Sequence, residues 1–388
     1  MDINLKYKVP GLEVASSMMY CFPTGAMDVW HPAAEQVLMP AKYFEPYDVE
    51  IKVQSATAKL ELTKTLSWKR KTQLVLSKAI KRKARSFLPK TIRRKARSAF
   101  SRVKNYKTQL FLPEAVEDGD VLDYSGKFIF DARFDVFTNI SHILGNIAEP
   151  VFLAQKLLSE HFQKDIKIHI ILSSRVPKYR MPMDVYRLLG NPVIFTDDDV
   201  YGELVTCSKQ RVYSTAPHFL NFEFPGYKEQ TYERVFVARR GNRRLINNDE
   251  VTKFLEERGF KTLYFEDLSL EEEWSIARNA KEAVVVAGAA SGNFVLNRVG
   301  LRDNAEPGSG LKLIELMSPA WNFYEHRYMA NTLNGKWCCV RGQITPQMLN
   351  ALDFSEAPPD SLKAPYKDPF RVDCQTIQMA LDYLSMGK

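Results

Sequence analysis

Apolar positions in the second half of the chain recur in short blocks separated by helical stretches, a rhythm that predicts an α/β fold. Arg234–Ala238 (RVFVA), Lys261–Phe265, Ala283–Ala287 (AVVVA), Leu311–Leu316 and Trp337–Val340 read as strands. AVVVA shows no polar alternation, as expected of a parallel strand covered on both faces. The helices between them carry end signals. Asn247-Asn248-Asp249-Glu250 supplies a polar start and an acidic first turn, and Gly259 closes that helix. Ser269 and Glu272 form an S-x-x-E capping box opening a helix to about Ala280. Tyr324–Leu333 reads as a further helix after Pro319.

A similar rhythm precedes it. Lys127–Asp131, Ile166–Leu172 and Pro192–Thr196 read as strands. Asn139–Leu158 and Met183–Leu189 read as helices; Pro150 predicts a kink in the first, and Gly190 ends the second. Pro225 and Gly226 mark a boundary within 219–231. Residues 1–63 are less regular, with short apolar runs at Val37–Met39 and Val49–Val53 that suit strands. The expected organisation is an N-terminal part of the first domain at 1–63, a basic segment at 64–107, a Rossmann-like domain at 113–225, a second one at 228–345, and a tail with a helix at 346–388.

Charge changes this picture at one place. The whole chain carries +8, yet Lys64 to Lys107 alone holds 17 Lys and Arg and no acid, so the remainder is net acidic. Within that segment IKRKARS at 80–86 returns as IRRKARS at 92–98, with apolar residues at helical spacing and Pro89 between the copies. Two short cationic amphipathic helices suit an anionic membrane surface, with Lys81, Arg82, Lys83, Arg93, Arg94 and Lys95 facing the lipid charge. A solvated basic insert is the plain alternative, and a nucleic-acid arm is the less favoured one. No run of about 18 apolar residues suggests a spanning helix. The N-terminus lacks the pattern of a secretory signal. Five cysteines, an odd number without C-x-x-C spacing, suggest neither a disulfide framework nor a zinc site. A cytoplasmic protein, peripheral at the inner face of the membrane, is the expectation.

Parallel sheets bind ligands at the carboxyl ends of their strands, which selects three places in the second half. Arg239, Arg240, Arg243 and Arg244 follow the first strand; Gly288-Ala-Ala-Ser-Gly-Asn293 follows the third; Glu315 lies in the fourth, before Ser318. A diphosphate needs backbone N–H groups at a helix start and one or two cations. The turn from Gly288 through Ala289, Ser291 and Gly292 offers the first, and Arg239 or Arg240 the second. Glu315 could accept from ribose hydroxyls. Each signal has a plain reading too: a packing turn, solvated arginines, a buried structural carboxylate. Asp197-Asp198-Asp199 is the one acidic triplet at a strand end, and a solvated turn is favoured over a metal site there.

The runs RVFVARRGNRRLINNDEVTKFLEERGF, LSLEEEWSIARNAKEAVVVAGAASGNFVL and GLKLIELMSP resemble the C-terminal domain of glycosyltransferase family 61. The resemblance is best over 232–342 and fainter over 127–200, where NISHILGNIAEPVF and YRLLG are similar to recurring pieces of the family. It implies a GT-B-like fold of two Rossmann-like parallel-sheet domains facing a cleft. It also implies inverting sugar transfer without a metal or other cofactor. The partners would be a nucleotide-sugar donor as co-substrate and a glycan or lipid-linked glycan acceptor, as in cell-surface polysaccharide (capsule or lipopolysaccharide) synthesis. By position, Arg239 or Arg240, Gly288, Ala289, Asn293 and Glu315 match family motif residues of the donor side, and His142 matches the N-terminal motif. Where the family pattern usually has His-Gly-Ala, this chain has Ala287. An inverting transfer also needs a base; His142 suits it, with Asp135, Glu149 and Asp131 as rival carboxylates. A nucleotide-sugar epimerase-like enzyme, and an inactive or binding member acting through its basic segment, are the other classes.

Overall fold

In the computed structural model, the described residues are 1–21, 35–59, 121–136, 138–208, 213, 222–229, 232–303, 305–306, 308–320, 324–343 and 367–386. They form two large sheets and one two-stranded sheet, with helices packed between and around them. The first sheet has the order β1-β6-β10-β7-β8-β9. Its strands are β1 (Asp2–Val9), β6 (Tyr47–Ala58), β7 (Leu122–Asp131), β8 (His169–Leu172), β9 (Val193–Phe195) and β10 (Val200–Cys207). β10, β7, β8 and β9 are parallel, while β6 runs antiparallel to both β1 and β10. The sheet expected to be parallel is therefore mixed. β6 shows the alternation of a half-buried strand, with Val49, Ile51 and Val53 inside.

The second sheet has the order β12-β11-β13-β14-β15-β3-β4. β11 (Arg234–Ala238), β12 (Lys261–Tyr264), β13 (Glu282–Val286), β14 (Lys312–Met317) and β15 (Lys336–Arg341) lie parallel. β3 (Ser17–Cys21) pairs parallel with β15, and β4 (Glu35–Met39) antiparallel with β3. The strands of the first 59 residues are divided between the sheets, with β1 and β6 in the first and β3 and β4 in the second. β2 (Leu12–Val14) and β5 (Lys42–Phe44) pair antiparallel as a separate two-stranded sheet.

A long helical run, α1, begins at Ile140–His142, passes through a π-helical stretch Ile143–Ala148 and continues over Glu149–Phe162. Asn139 caps it through Ser141 N–H. The π turn sits immediately before Pro150, which has no N–H to give an ordinary helical bond, so the expected irregularity is a widened turn. α2 (Arg180–Leu189) ends at left-handed Gly190 as expected. α3 (Asn248–Glu256) and α4 (Leu270–Asn279) follow β11 and β12; α4 carries the complete Ser269/Glu272 capping box. α5 (Glu325–Thr332) and α6 (Cys374–Ser385) complete the set.

One apolar core runs through both halves, joining Ile147, Val151 and Leu153 of α1 to Trp274 and Ile276 of α4 and to Phe294 and Leu313. The outer face of the second sheet is closed separately by α3 and α6. The connection between halves is pinned. Phe222 and Phe224 lie edge-on to Trp274. The buried Arg278 donates to Phe222 O at 3.0 Å, and Arg298 to the same carbonyl at 3.3 Å.

Candidate functional site

β12 and β13 flank β11 on opposite sides, so the chain order reverses at β11/β13, the place where open parallel sheets receive ligands in a crevice at the strands' carboxyl ends. Arg239 is the first residue after β11 and Gly288 the second after β13. Their contact is close: a Cβ on Gly288 would overlap Arg239 Nη1 and come 3.7 Å from Arg243 Nη2. Gly288 also precedes the 3-10 helix Ala289–Leu296, whose first amides face outward along its axis. Two guanidinium groups thus converge on the positive end of a helical turn. Like charges so placed repel, and an anion between them relieves all three. Arg239 Nε is buried with no hydrogen-bond partner among the described residues. Burial pulls this guanidinium below its usual pKa, while Glu266 opposes the shift.

Arg239 and Arg240 point in different directions. Arg240 is exposed, pairs with Asp267 and stacks 4.1 Å from the Tyr264 ring centroid. Ala289 lies at the turn. Asn293 is fully buried, accepting from Trp274 Nε1 at 3.2 Å and donating to Glu273 Oε2 at 3.0 Å, so it ties the turn to α4. Burial pushes the Glu273 carboxyl up to about 8 against the Asn293 hydrogen bond, with Glu266 adding to the rise. Gly292 lies against the other half of the chain: a Cβ there would come 2.7 Å from Ser141 Cβ.

Glu315 is not at a strand end. It sits inside β14 between Val285 and Cys339, with no solvent exposure. Oε1 is 2.9 Å from His326 Nδ1, and Oε2 accepts from Trp337 Nε1 at 2.9 Å. Burial pushes this carboxyl up, but His326, Trp337 and the adjacent Ser291 more than offset it and hold it below the ordinary range. The Ser291 hydroxyl, itself fully buried, lies beside the carboxylate without closing a well-formed hydrogen bond. Both carboxylate oxygens are committed inside the sheet, so the direct ribose contact expected of Glu315 does not fit its position.

Beside Gly292 the start of α1 presents a polar chain. Asn146 Nδ2 lies 3.5 Å from Asp135 Oδ1 and 3.3 Å from His142 Nδ1. His142 is exposed, and Asp135, on the loop leaving β7, is half-buried. Burial holds the Asp135 carboxyl above its ordinary pKa, against the Asn146 hydrogen bond and the His142 charge. Asn146 Nδ2 faces His142 Nδ1, and which of the two donates depends on the ring's tautomer. Glu149 does not share this site. It is fully buried and accepts from Tyr213 N–H at 2.8 Å, a structural bond that removes it from the rival carboxylates. Asp131 is held by Arg133 at 2.7 Å. The Tyr213 hydroxyl reaches Ser141 Oγ at 2.6 Å, and its ring lies 5.9 Å from that of His326, so Tyr213 bridges α1 and α5. Asn146 stands four residues after His142, a helical spacing readable in the sequence; Tyr213 carried no such signal.

Asp197 accepts from Ser174, and Asp198 from Thr196 at 3.1 Å. Among the described residues no group of three or more His, Cys, Asp or Glu is arranged to hold a metal ion. Lys81, Arg82, Lys83, Arg93, Arg94 and Lys95 lie outside the described residues. No helix among the described residues is long and apolar enough to cross a membrane. Ala287 is buried in the core, with its amide donating to Leu316 O at 2.9 Å.

Residues 151–308 match the family model described as Glycosyltransferase 61, so this stretch of the chain is similar to that family. The match contains Arg239, Arg243 and the whole 288–293 turn; Asp135 and His142 precede it, and Glu315 follows it. No curated protein matches the chain.

Proposed function

We propose that this chain, similar to glycosyltransferase family 61 over residues 151–308, holds a nucleotide-sugar donor at the β11/β13 crevice and transfers the sugar to a glycan or lipid-linked glycan with inversion, without a metal. The observation that carries the reading is Arg239 folded over Gly288 at the start of a helical turn. Positive charge and outward amides at that point suit the diphosphate of the donor and the charge that develops on it as the sugar leaves. The guanidinium supplies there what a divalent cation supplies in metal-dependent transfer.

The acceptor enters from the α1 side. Its hydroxyl oxygen bonds to the anomeric carbon as the carbon–oxygen bond to the diphosphate breaks on the opposite face. The hydroxyl proton passes to Asp135, whose raised basicity comes from burial, and the bond's electron pair leaves with the diphosphate. His142, held by Asn146, offers a ring nitrogen to the substrate. Glu315 acts at a distance, orienting His326 of α5. The basic segment Lys64–Lys107 supplies the charge for docking on the anionic inner face of a membrane, and flotation with anionic but not neutral liposomes tests that.

The central test is thermal-shift screening against UDP, GDP, CMP and dTDP, followed by product analysis with the donor that stabilises. Stabilisation by one nucleotide and product only when acceptor is added are expected. Silence toward every nucleotide overturns the donor site, and sugar conversion without acceptor would favour an epimerase.

A further inference from the structure

The loop after β11 contains two left-handed residues, Gly241 (φ 74) and Arg243 (φ 61). Glycine takes that conformation freely, whereas arginine takes it under strain, and such strain persists where surrounding structure imposes it. Here the imposing structure comes from the far end of the chain. Arg243 N–H donates to Lys367 O at 2.9 Å, Phe370 N–H to Arg244 O at 3.2 Å, and Ile246 N–H to Phe370 O at 2.8 Å. Leu245 and Phe370 form a parallel bridge. Asn247 Nδ2 adds a bond to Val372 O at 2.8 Å. Phe370 is fully buried, and a Cβ on Gly342 would overlap its ring, so the segment is anchored from behind as well.

The consequence is where the side chain goes. Arg243 Nη2 stands 3.7 Å from the Gly288 Cβ position, which Arg239 Nη1 overlaps. A residue serving only the turn would be glycine or asparagine. A second guanidinium brought beside the first is useful where an anion lies between them.

Resting on the donor-site reading above, we propose that Arg243 is the second cationic arm of the diphosphate site and that the C-terminal segment Lys367–Val372 sets its position, so that the site is completed by the end of the chain. Arg239 alone would act as a single point of charge. With Arg243 opposite, the two forks can hold both phosphoryl groups and keep the leaving group fixed as the sugar departs.

The test uses the full chain and inorganic pyrophosphate, a diphosphate without a base, measured by calorimetry beside the nucleotide panel. Arg243→Gly is expected to melt at or above the wild-type temperature, because the left-handed strain is relieved, and to bind pyrophosphate at least tenfold more weakly. Arg243→Lys, which keeps a charge but not the fork, should fall between the two. If Arg243→Gly binds pyrophosphate as the wild type does while Arg239→Met does not, the proposal is overturned and the donor-site reading stands. If the wild type binds neither pyrophosphate nor any nucleotide, both fall. A large loss of melting temperature in both Arg243→Gly and Arg243→Asn would assign Arg243 to the fold and overturn the proposal.

Discussion

Gly288→Ala separates the binding role of the crevice from its structural role. The backbone at Gly288 (φ 167, ψ −159) is extended and open to alanine without strain. The added methyl overlaps only Arg239 Nη1, the far end of a flexible side chain, so the guanidinium swings away rather than the strands parting. Folding stability should change by no more than about 1 kcal/mol, as for substitutions that create no cavity and bury no unpaired charge. Binding should suffer far more. A hydrogen bond to a charged group contributes about 1.5–3 kcal/mol, and at about 1.4 kcal/mol per tenfold this weakens nucleotide affinity by about 10- to 150-fold. The assay is isothermal calorimetry with whichever nucleotide stabilises the wild type, alongside a denaturation curve. Arg239→Met should lose as much, and the double variant little more, because both changes remove the same guanidinium. Unchanged affinity in Gly288→Ala would refute the placement of the phosphate site, and unfolding would refute the claim that only a flexible end is displaced.

Other outcomes follow from the same geometry. Glu315→Ala strands the buried His326 of α5 and Trp337 of β15 and should cost about 3–5 kcal/mol in chemical denaturation; a neutral result would show that the buried pair is not structural. Asp135→Asn should lower kcat with little change in donor affinity. Because the Asp135 carboxyl is raised, wild-type kcat should fall on acidification at a higher pH than an ordinary carboxylate would give, and an unaltered acid limb in the variant would exclude Asp135 as the base. Glu273 titrates near 8 in the fold against 4.5 as its reference, so between those values the folded state keeps a proton the unfolded state has lost. Stability should therefore fall as pH rises through that window, with a slope approaching about 1.4 kcal/mol per pH unit. Glu273→Gln should flatten the slope in melting curves from pH 5 to 8; the same slope in the variant would assign it elsewhere.

Much of the architecture was legible because its causes are local. A run such as AVVVA, the Ser269/Glu272 box and left-handed Gly190 depend on residues a few positions apart, and these three elements formed within a few residues of their expected bounds. The places of Gly288 and Arg239 were equally legible, since both stand at fixed offsets from strand ends. What sequence reading could not supply was direction and distant pairing. Arg239 and Arg240 are neighbours of the same type, yet one turns to Gly288 and the other to Asp267. Glu315 in an apolar strand suggested a ligand contact, but its partners His326 and Trp337 come from later elements that the sheet register alone brings beside it. β3 joins β15 across more than 300 residues, a pairing to which local periodicity is blind.

The sequence by itself thus determined the parallel β/α rhythm, the helix ends and the family signature, because spacing and capping act within one or two turns of chain. Only the tertiary structure decided which arginine turns to Gly288, that Glu149 and Glu315 are buried braces, that Asp135 and His142 share Asn146, and that Lys367–Val372 shapes the Arg243 loop. Those outcomes depend on which side chains from distant elements exclude water together, and no local pattern along the chain encodes that.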